Sequence, residues 1–430
     1  MKRYKSLIIG IFVAALFAFT FIQPTVFANF NKDNTALTKE KKINKNWVTT
    51  WNASPEPTWG ADFPLPTKLP AKIENQTIRQ VAKISLGGNQ IRISFSNEYG
   101  KEPLTIGEAH VALTDNGSNI VKNTDQKIKF GGKTSVVLPA GSSIISDPIP
   151  LKVNPLAKVS VSLYLPKTTI PTTFHWDARQ TTYIANGNVT SATKMKADST
   201  TDASMYLTGI SVHSPKNSGT VVAIGDSITD GDGATVDADT RWTNFLANRL
   251  ISQNVSVINS GTSGNRLLKD GMGVSVLSRF NRDVLSKPNV KSVVVLIGIN
   301  DISWPGTGFA PTEKRPTFDE LVAGYRQLIR QAHAHHIKVI GVTLTPFEGA
   351  LSGTNLDNYY SKEKDELRQQ VNKWIRSGEF DSVVDLDEIM KDPKHPTRLL
   401  PEYDSGDHLH PGDVGNRKIA DSIDLNSLLK

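Results

Sequence analysis

Residues 220–230 read TVVAIGDSITD, and this stretch decides the fold class that the sequence predicts. Val221–Ile224 is a short apolar run, mostly β-branched, which is typical of a strand buried on both faces. The run stops at Gly225, and Ser227 stands just beyond it. Open α/β sheets bind ligands at the carboxyl ends of their strands, so Ser227 is a candidate functional residue. Taken alone, it has a simpler interpretation as a loop serine that hydrogen-bonds its own backbone.

Strand and helix patterns alternate through the second half of the chain. Such alternation predicts an α/β domain over residues 219–430, doubly wound, with a parallel sheet and helices on both of its faces. The predicted strands after the first are 255–258, 292–299, 338–344 and 382–386, and the predicted helices lie around 241–252, 274–286, 319–335 and 361–376, with a last one from about Asp413.

The sequence pattern of residues 47–213 predicts an all-β domain. Short runs alternate apolar and polar residues, as in 91–95 and 159–165, and turn signals such as Gly87-Gly88-Asn89 separate them. Many short strands at regular spacing are typical of a sandwich or jelly roll. Residues 214–219 are expected to be a short linker.

Two residue types in this β half invite a functional interpretation. No histidine there has a neighbour at metal-ligand spacing, so all three are interpreted as structural or surface residues; they are His110, His175 and His213. Four tryptophans are expected to pack in the core, with a sugar-stacking platform as the alternative; they are Trp47, Trp51, Trp59 and Trp176.

Residues 1–28 have the pattern of a secretory signal peptide. Basic residues at 2, 3 and 5 precede an uncharged run, and small residues end the segment at Ala28. We therefore expect cleavage after Ala28 and a secreted, extracellular protein. A retained transmembrane anchor is the alternative, since the apolar run is nearly long enough to cross part of a bilayer.

The remaining composition narrows the class of protein. Residues 29–46, rich in Lys and Asn, predict a flexible leader, either a solvated tail or a segment that touches an anionic surface. The chain has no cysteine, so buried cores rather than disulfides must hold it together. The formal net charge of +7 falls to +4 without the three basic residues of the signal. Neither nucleic-acid binding nor stable membrane insertion after signal cleavage is expected.

Polar residues follow several of the predicted parallel strands, whose carboxyl ends share one edge of the sheet. Ser227 follows the first strand, a small-residue turn at 259–265 follows the second, and Asn300 follows the third. Asp407 and His410 precede the final helix. The sequence therefore predicts that a serine, a glycine turn, an asparagine and an Asp-x-x-His pair converge on this edge.

These four segments resemble the blocks of the GDSL, or SGNH, hydrolase family. They read GDSIT at 225–229, SGN at 263–265, GIND at 298–301 and DHLHP at 407–411, and Ile228 replaces the leucine of the family name. The resemblance implies a flavodoxin-like three-layer fold. The β half, with LGG at 86–88 and SNEYG at 96–100, looks like a secreted subgroup thought to act on plant polysaccharide esters.

The resemblance implies a Ser-His-Asp triad of Ser227, His410 and Asp407. A histidine that is largely neutral near pH 7 can take the serine proton, and an aspartate can hold the required tautomer. The expected oxyanion hole consists of the N–H of Ser227, the N–H of Gly264 and the side-chain amide of Asn300. No metal and no cofactor are expected.

Three alternatives accompany this interpretation of the site. Asp407, His408 and His410 could instead form a metal site. Asp226, Asp230 and Asp232 lie beside glycines as in a calcium loop, but the terminal glutamate of such a loop is missing, and Asp226 is expected to cap the nucleophile turn. The absence of a G-x-S-x-G motif argues against an α/β-hydrolase nucleophile elbow.

The predicted function is a metal-independent ester hydrolase that removes short acyl groups, with acetyl on carbohydrate as the expected substrate. A lipase or lysophospholipase for longer acyl chains is one alternative, and a surface carbohydrate-binding protein with a vestigial hydrolase domain is another. Loops such as 302–318 and 347–360 are expected to shape the substrate pockets.

Overall fold

The computed structural model describes residues 46–214 and 217–429, and these described residues form one compact unit. The predicted signal peptide, nearly all of the predicted leader, and residues 215 and 216 of the predicted linker lie outside the described residues. Among the described residues, no helix has the length and apolar composition needed to cross a bilayer.

Residues 46–214, hereafter the β region, contain fifteen strands and no helix. The strands are β1 Trp47–Asn52, β2 Glu56–Pro57, β3 Gln76–Lys83, β4 Ile91–Ser96, β5 Leu104–Ile106, β6 Glu108–Leu113, β7 Gln126–Lys127, β8 Val136–Leu138, β9 Ser143–Ile145, β10 Lys158–Leu165, β11 Thr173–His175, β12 Thr182–Asn186, β13 Ser199–Thr201, β14 Ser204–Met205 and β15 Leu207–His213.

Antiparallel sheets share one apolar core in the β region. The larger two have the strand orders β1-β15-β4-β9 and β13-β12-β3-β10-β6-β7, and β14-β11-β2 form a third sheet. Alternate side chains of β4, such as Ile91, Ile93 and Phe95, are fully buried, as the alternation in the sequence indicates. They meet the buried side chains of β3, β6 and β10 in the same cluster. The sandwich or jelly-roll topology stays a prediction.

Residues 217–429, hereafter the α/β region, alternate strands and helices. The elements are β16 Gly219–Gly225, α1 Ser227–Asp230, α2 Trp242–Leu250, β17 Val255–Gly261, α3 Val276–Phe280, β18 Val290–Leu296, α4 Ile299–Ser303, α5 Phe318–Ala334, β19 Lys338–Val342, α6 Lys362–Ile375, β20 Ser382–Val384, α7 Leu386–Met390, β21 Lys391–Asp392, β22 His395–Leu399, α8 Asp413–Ser422 and α9 Leu425–Leu429, with a π-helical turn at Asn281–Leu285 and 3₁₀ turns at Ile251–Gln253 and Asp357–Tyr359.

Five of these strands form a parallel sheet in the order β17-β16-β18-β19-β20. This is the strand order of flavodoxin-like doubly wound sheets, and it confirms the predicted α/β class with a parallel sheet. Gly225 pairs with Gly261 of β17 on one side and with Leu296 of β18 on the other. The residues that follow these three strands therefore lie side by side at one edge.

The predicted boundaries are wrong where the chain turns at this edge. The predicted strand 292–299 ends early, because β18 stops at Leu296 and α4 begins at Ile299. Gly298 makes this turn with φ of +127°, a conformation that other residues rarely adopt. The sequence also gave no indication of α1, which is one turn long and begins at Ser227 itself.

The β region packs along β17, an edge strand of the parallel sheet. Ser256 donates a hydrogen bond to the Thr49 carbonyl oxygen over 2.6 Å, and its hydroxyl lies 2.9 Å from that of Ser85. The N–H of Val257 donates to Ser85 Oγ over 3.2 Å. Side chains of the β region thus pair with polar groups that an open edge would leave to solvent.

Candidate active site

Ser227 is held at the first turn of α1, directly beyond β16. The Asp226 side chain caps this helix by accepting a hydrogen bond from the Ile228 N–H over 3.1 Å, as the sequence predicted. Gly225 permits the sharp exit from the strand, because a Cβ there would lie 2.2 Å from the Leu296 carbonyl oxygen. Ser227 itself is 6% exposed.

His410 joins Ser227 to Asp407 through both of its ring nitrogens. Its Nε2 lies 2.7 Å from Ser227 Oγ, and its Nδ1 lies 2.6 Å from Asp407 Oδ2. The other carboxylate oxygen of Asp407 accepts the backbone N–H groups of Leu409 and His410 over 2.9 and 2.8 Å. These bonds orient the carboxylate, and the carboxylate in turn orients the imidazole.

Opposite charges shift the pKa values of this pair. Burial alone would lower the pKa of His410, but the negative charges of Asp232 and Asp407 outweigh burial and raise it to about 9. Burial alone would raise the pKa of Asp407, but its hydrogen bond to His410 and the charge of the imidazolium hold it well below the ordinary value. The site therefore favours an ion pair of imidazolium and carboxylate.

Gly264 and Asn300 follow the two strands that flank β16. Gly264 has φ of +68°, and a Cβ there would lie 2.5 Å from Met272 Sδ and 2.8 Å from a ring carbon of Trp304. The position therefore requires glycine. Asn300 is 3% exposed, and its Nδ2 donates to the Asn265 carbonyl oxygen over 2.9 Å. Both residues thus border the turn that follows β17.

Three buried residues that sequence reasoning missed brace this edge. Tyr359 donates its hydroxyl proton to Asn300 Oδ1 over 2.6 Å and so fixes which way the amide points. Asp301 accepts the N–H groups of residues 267 and 268 over 2.7 and 3.0 Å. Arg279 donates to the carbonyl oxygens of Gly225 and Ser260 over 3.0 and 2.6 Å. Of these three residues, only Asp301 could have been found from the sequence, because it lies inside the GIND block.

His408 does not join the site. Its Nδ1 lies 2.6 Å from Asp404 Oδ2, and its side chain is half exposed. Within residues 46–214 and 217–429, no group of three or more His, Asp or Glu side chains is arranged to hold a metal ion. Of the three aspartates near the nucleophile, Asp226 caps α1, and Asp230 turns instead toward His175 of the β region, 2.9 Å away.

Aromatic side chains from both regions meet next to the site. A buried apolar cluster includes Trp304, Phe347 and Leu409, and Leu409 directly precedes His410. Phe63 of the β region packs against it, 5.4 Å from Phe309 between ring centroids and nearly parallel to that ring. We call this cluster, with the partly buried rings of Trp59 and Trp176 beside it, the aromatic wall; its buried members are Met272, Ile299, Trp304, Phe347, Ala350, Tyr359 and Leu409.

The serine, histidine and aspartate at the carboxyl edge of a parallel sheet have the arrangement of a serine hydrolase triad. Residues 221–423 match the family model described as GDSL-like lipase/acylhydrolase. Residues 221–423 are therefore a GDSL-like lipase/acylhydrolase domain, which confirms the resemblance carried by the four motif blocks, and the chain is a carboxylic ester hydrolase.

Solved structures of esterases and acylhydrolases are similar to about half of the chain. An acetyl xylan esterase, AlAXEase, is 22% identical over 47% of this chain and 96% of its own, with a TM-score of 0.35. The inhibitor-bound aryl esterase of M. smegmatis is 19% identical over 49% and 100%, with a TM-score of 0.38. A lipase/acylhydrolase from Enterococcus faecalis is 22% identical over 47% and 92%, with a TM-score of 0.36. No curated protein matches the sequence.

Proposed function

We propose that this ester hydrolase is secreted and removes short acyl groups, above all acetyl, from carbohydrate by way of an acyl-enzyme on Ser227. The observation that carries the mechanism is the chain of hydrogen bonds from Ser227 Oγ through His410 to Asp407, with distances of 2.7 and 2.6 Å. A serine becomes an effective nucleophile when a neighbouring base takes its proton as it attacks.

In the first half of the proposed reaction, Ser227 Oγ attacks the ester carbonyl carbon while His410 Nε2 accepts the hydroxyl proton. The carbonyl oxygen becomes negative and accepts hydrogen bonds from the N–H of Ser227, the N–H of Gly264 and the amide of Asn300. His410 then gives its proton to the departing alcohol oxygen, and the acyl group stays on Ser227. The raised pKa of His410 suits the imidazolium that exists between these two proton transfers.

In the second half, water replaces the alcohol. His410 takes a proton from the water as its oxygen attacks the acyl carbon, and it returns that proton to Ser227 Oγ as the acid leaves. Serine, histidine and aspartate end in the state in which they began. The cycle consumes one ester and one water and releases one alcohol and one carboxylic acid.

The aromatic wall supports a short acyl group. Its apolar side chains next to His410 and Gly264 pack against one another and leave little apolar surface free, since Trp304 and Leu409 are each 2% exposed. A long acyl chain would need apolar surface that these side chains have buried among themselves. The partly buried rings of Trp59 and Trp176 at its border support a carbohydrate alcohol, because flat amphipathic rings suit a sugar face.

The deciding experiment compares nitrophenyl esters from acetyl to dodecanoyl, with a chelator present, on wild type and Ser227→Ala. We expect wild-type rates to fall steeply with chain length, and acetylated polysaccharides would then be tested for acetate release. A preference for long chains would support a lipase instead. Binding to insoluble polysaccharide without turnover of any ester would support a carbohydrate-binding protein.

The Ser227→Ala variant tests the nucleophile separately from the substrate. Its activity should fall by about a millionfold if the triad acts as a unit. Its thermal unfolding should stay close to that of wild type, because the change removes one hydroxyl group. Substantial turnover by the purified variant would refute the acyl-enzyme on Ser227.

A further inference from the structure

A histidine of the β region reaches the edge of the parallel sheet at which Ser227, Gly264 and Asn300 follow their strands, hereafter the catalytic edge. His175, at the end of β11, places Nε2 2.9 Å from Asp230 Oδ1 and Nδ1 3.1 Å from the Ser54 carbonyl oxygen. Both atoms that it faces are hydrogen-bond acceptors, so only the doubly protonated ring can satisfy them together. His175 and Asp230 are 5% and 1% exposed, and the two therefore form a buried ion pair between the β region and α1.

The charges around His175 agree with this protonation state. Burial alone would lower its pKa, but the negative charge of Asp230, its hydrogen bond to the ring and the nearby Glu56 outweigh burial and raise the pKa to about 9. The same pairing holds the pKa of Asp230 below its ordinary value despite burial. Near neutral pH the pair is thus imidazolium and carboxylate.

Asp230 uses its second oxygen to hold the turn after β17. Its Oδ2 accepts both the backbone N–H and the hydroxyl of Ser263, over 2.9 and 3.0 Å. Ser263 directly precedes Gly264, and Asp230 ends the one-turn helix that begins with Ser227. One carboxylate therefore ties the helix of the nucleophile to the glycine turn, and His175 fixes that carboxylate from the other side.

We propose that His175 is a positioning residue for ester hydrolysis: its imidazolium fixes Asp230, and Asp230 sets the Ser263–Gly264 peptide so that the Gly264 N–H points at the developing oxyanion. This inference rests on the proposed place of that N–H in the oxyanion hole. A donor stabilises the transition state only if it is aimed before the charge develops, and misplacement by about 1 Å can cost about 100-fold.

Stability alone gives a weaker account of this ion pair. Desolvation of two buried charges roughly cancels their attraction, and well-packed apolar residues often serve a fold equally well or better. What the pair supplies here is a rigid link of fixed length between two turns of the catalytic edge. The β region thereby contributes a residue, His175, that helps to position the catalytic groups.

The test uses full-length His175→Ala, with nitrophenyl acetate as substrate and an alkylboronic acid as the mimic of the tetrahedral intermediate. Rates are normalised to active sites by titration. We expect kcat to fall by about 100-fold with KM changed by less than about twofold, and the boronic acid inhibition constant to rise by the same factor as kcat falls. His175→Gln should recover part of the loss, because its amide can donate a hydrogen bond to Asp230 but carries no charge.

Ser85→Ala is the matched control. It also removes a buried polar contact between the β region and β17, but Ser85 meets Ser256 and Val257 near the amino end of that strand, away from the catalytic edge. Ser85→Ala should lower thermal stability and leave kcat and the inhibition constant unchanged. Wild-type kcat and inhibition in His175→Ala would overturn the proposal, whatever its stability.

Two further variants keep the outcome decisive. If His175→Ala fails to fold, Ser263→Ala is used instead. It removes one of the two hydrogen bonds that Ser263 donates to Asp230 and should raise the boronic acid inhibition constant several-fold; an unchanged constant would overturn the proposal.

Asn300→Ala reports on the oxyanion hole itself and should lower kcat by about 10²–10³. If it and His175→Ala both behave as wild type, the hole is misassigned; if only His175→Ala does, the positioning role fails. Nitrophenyl acetate makes all of these results independent of the proposed carbohydrate substrate.

Discussion

His410 contacts two carboxylates that have different consequences for it. Asp407 lies at Nδ1 and orients the ring, whereas Asp232 Oδ2 lies 3.8 Å from Nε2, the nitrogen that faces Ser227. Burial lowers the pKa of His410, and the charge of Asp232 is the largest single contribution that raises it. Because Asp232 makes no orienting bond to the ring, its charge can be removed while the hydrogen bonds of the triad stay in place.

Asp232→Asn should therefore move the pH profile of the enzyme to lower pH. The neutral imidazole accepts the serine proton, so wild-type kcat/KM should rise with pH until it levels off above about 9. Without the Asp232 charge the imidazolium is less stable, its pKa falls, and the variant should be the more active enzyme below the wild-type midpoint. The measurement is kcat/KM for nitrophenyl acetate from about pH 6 to 10.

The control for this experiment removes the same charge elsewhere. Asp392→Asn lies in the β21–β22 hairpin, where its carboxylate accepts the Lys394 N–H over 2.9 Å. Its profile should coincide with that of wild type. If the midpoint of the kcat/KM profile is the same in Asp232→Asn as in wild type, Asp232 does not raise the pKa of His410.

Tyr359 controls the orientation of the Asn300 amide. Burial raises the pKa of Tyr359 well above its usual value, so its hydroxyl keeps the proton that it donates to Asn300 Oδ1. Tyr359→Phe should lower kcat by about tenfold with little change in KM, less than the loss expected from removing an oxyanion donor altogether. Tyr360→Phe, one residue along, is the control and should keep the wild-type kcat. Equal kcat in both variants would contradict the role of Tyr359.

Among the elements, the short helix α3 matters most to the catalytic edge because it carries Arg279. The guanidinium is buried, donates to the carbonyl oxygens of Gly225 and Ser260 near the ends of β16 and β17, and pairs with Asp283 at 2.9 Å. It also donates to Asn265 Oδ1 over 2.9 Å. A single side chain thus donates to buried acceptors of two strands and one turn and ties them together.

Arg279→Met should destabilise the protein by about 3–5 kcal/mol, because it leaves Asp283 charged and buried with fewer partners. Urea unfolding at pH 7 measures the change. Arg326→Met is the control, since Arg326 pairs with Glu379 at the surface, where such pairs contribute about 1 kcal/mol or less. If both variants lose a similar amount of unfolding free energy, the buried network around Arg279 contributes no more to stability than a surface ion pair does.

The elements also show what a sequence can and cannot reveal. The five parallel strands were predictable because each is a local apolar run, and the residues after them could be placed at one edge from topology alone. The end of β18 was misplaced because Ile299 continues an apolar run whose direction Gly298 has already reversed. Tyr359 and Arg279 had no signal, since their partners are set by packing between distant segments.

At the scale of the whole molecule, the β region and the α/β region depend on each other. The sequence predicted both and could not predict their contact, because pairs such as His175 with Asp230 are 55 residues apart and no periodicity links them. The contact runs along β17 through Ser256 and continues to the catalytic edge at Asp230. Folding therefore brings the two regions together around shared polar groups.

A fragment of residues 217–430 should consequently fail as an enzyme. It would expose the β17 edge and leave Asp230 without His175, so we expect association into large species and little turnover per molecule. Size-exclusion chromatography and nitrophenyl acetate hydrolysis, each compared with the intact chain, check this. A monodisperse fragment with full kcat would show that the α/β region is self-sufficient.

The two edge strands of the parallel sheet determine whether folded copies of this protein can associate through that sheet at high concentration. The β region occupies one border along β17, and the other border is β20, which is only three residues long. Strand-by-strand addition between neighbouring copies needs a long, free backbone edge as a template. This sheet offers such a template at neither border, so strand-by-strand addition between folded copies should not begin at the parallel sheet, even in concentrated preparations.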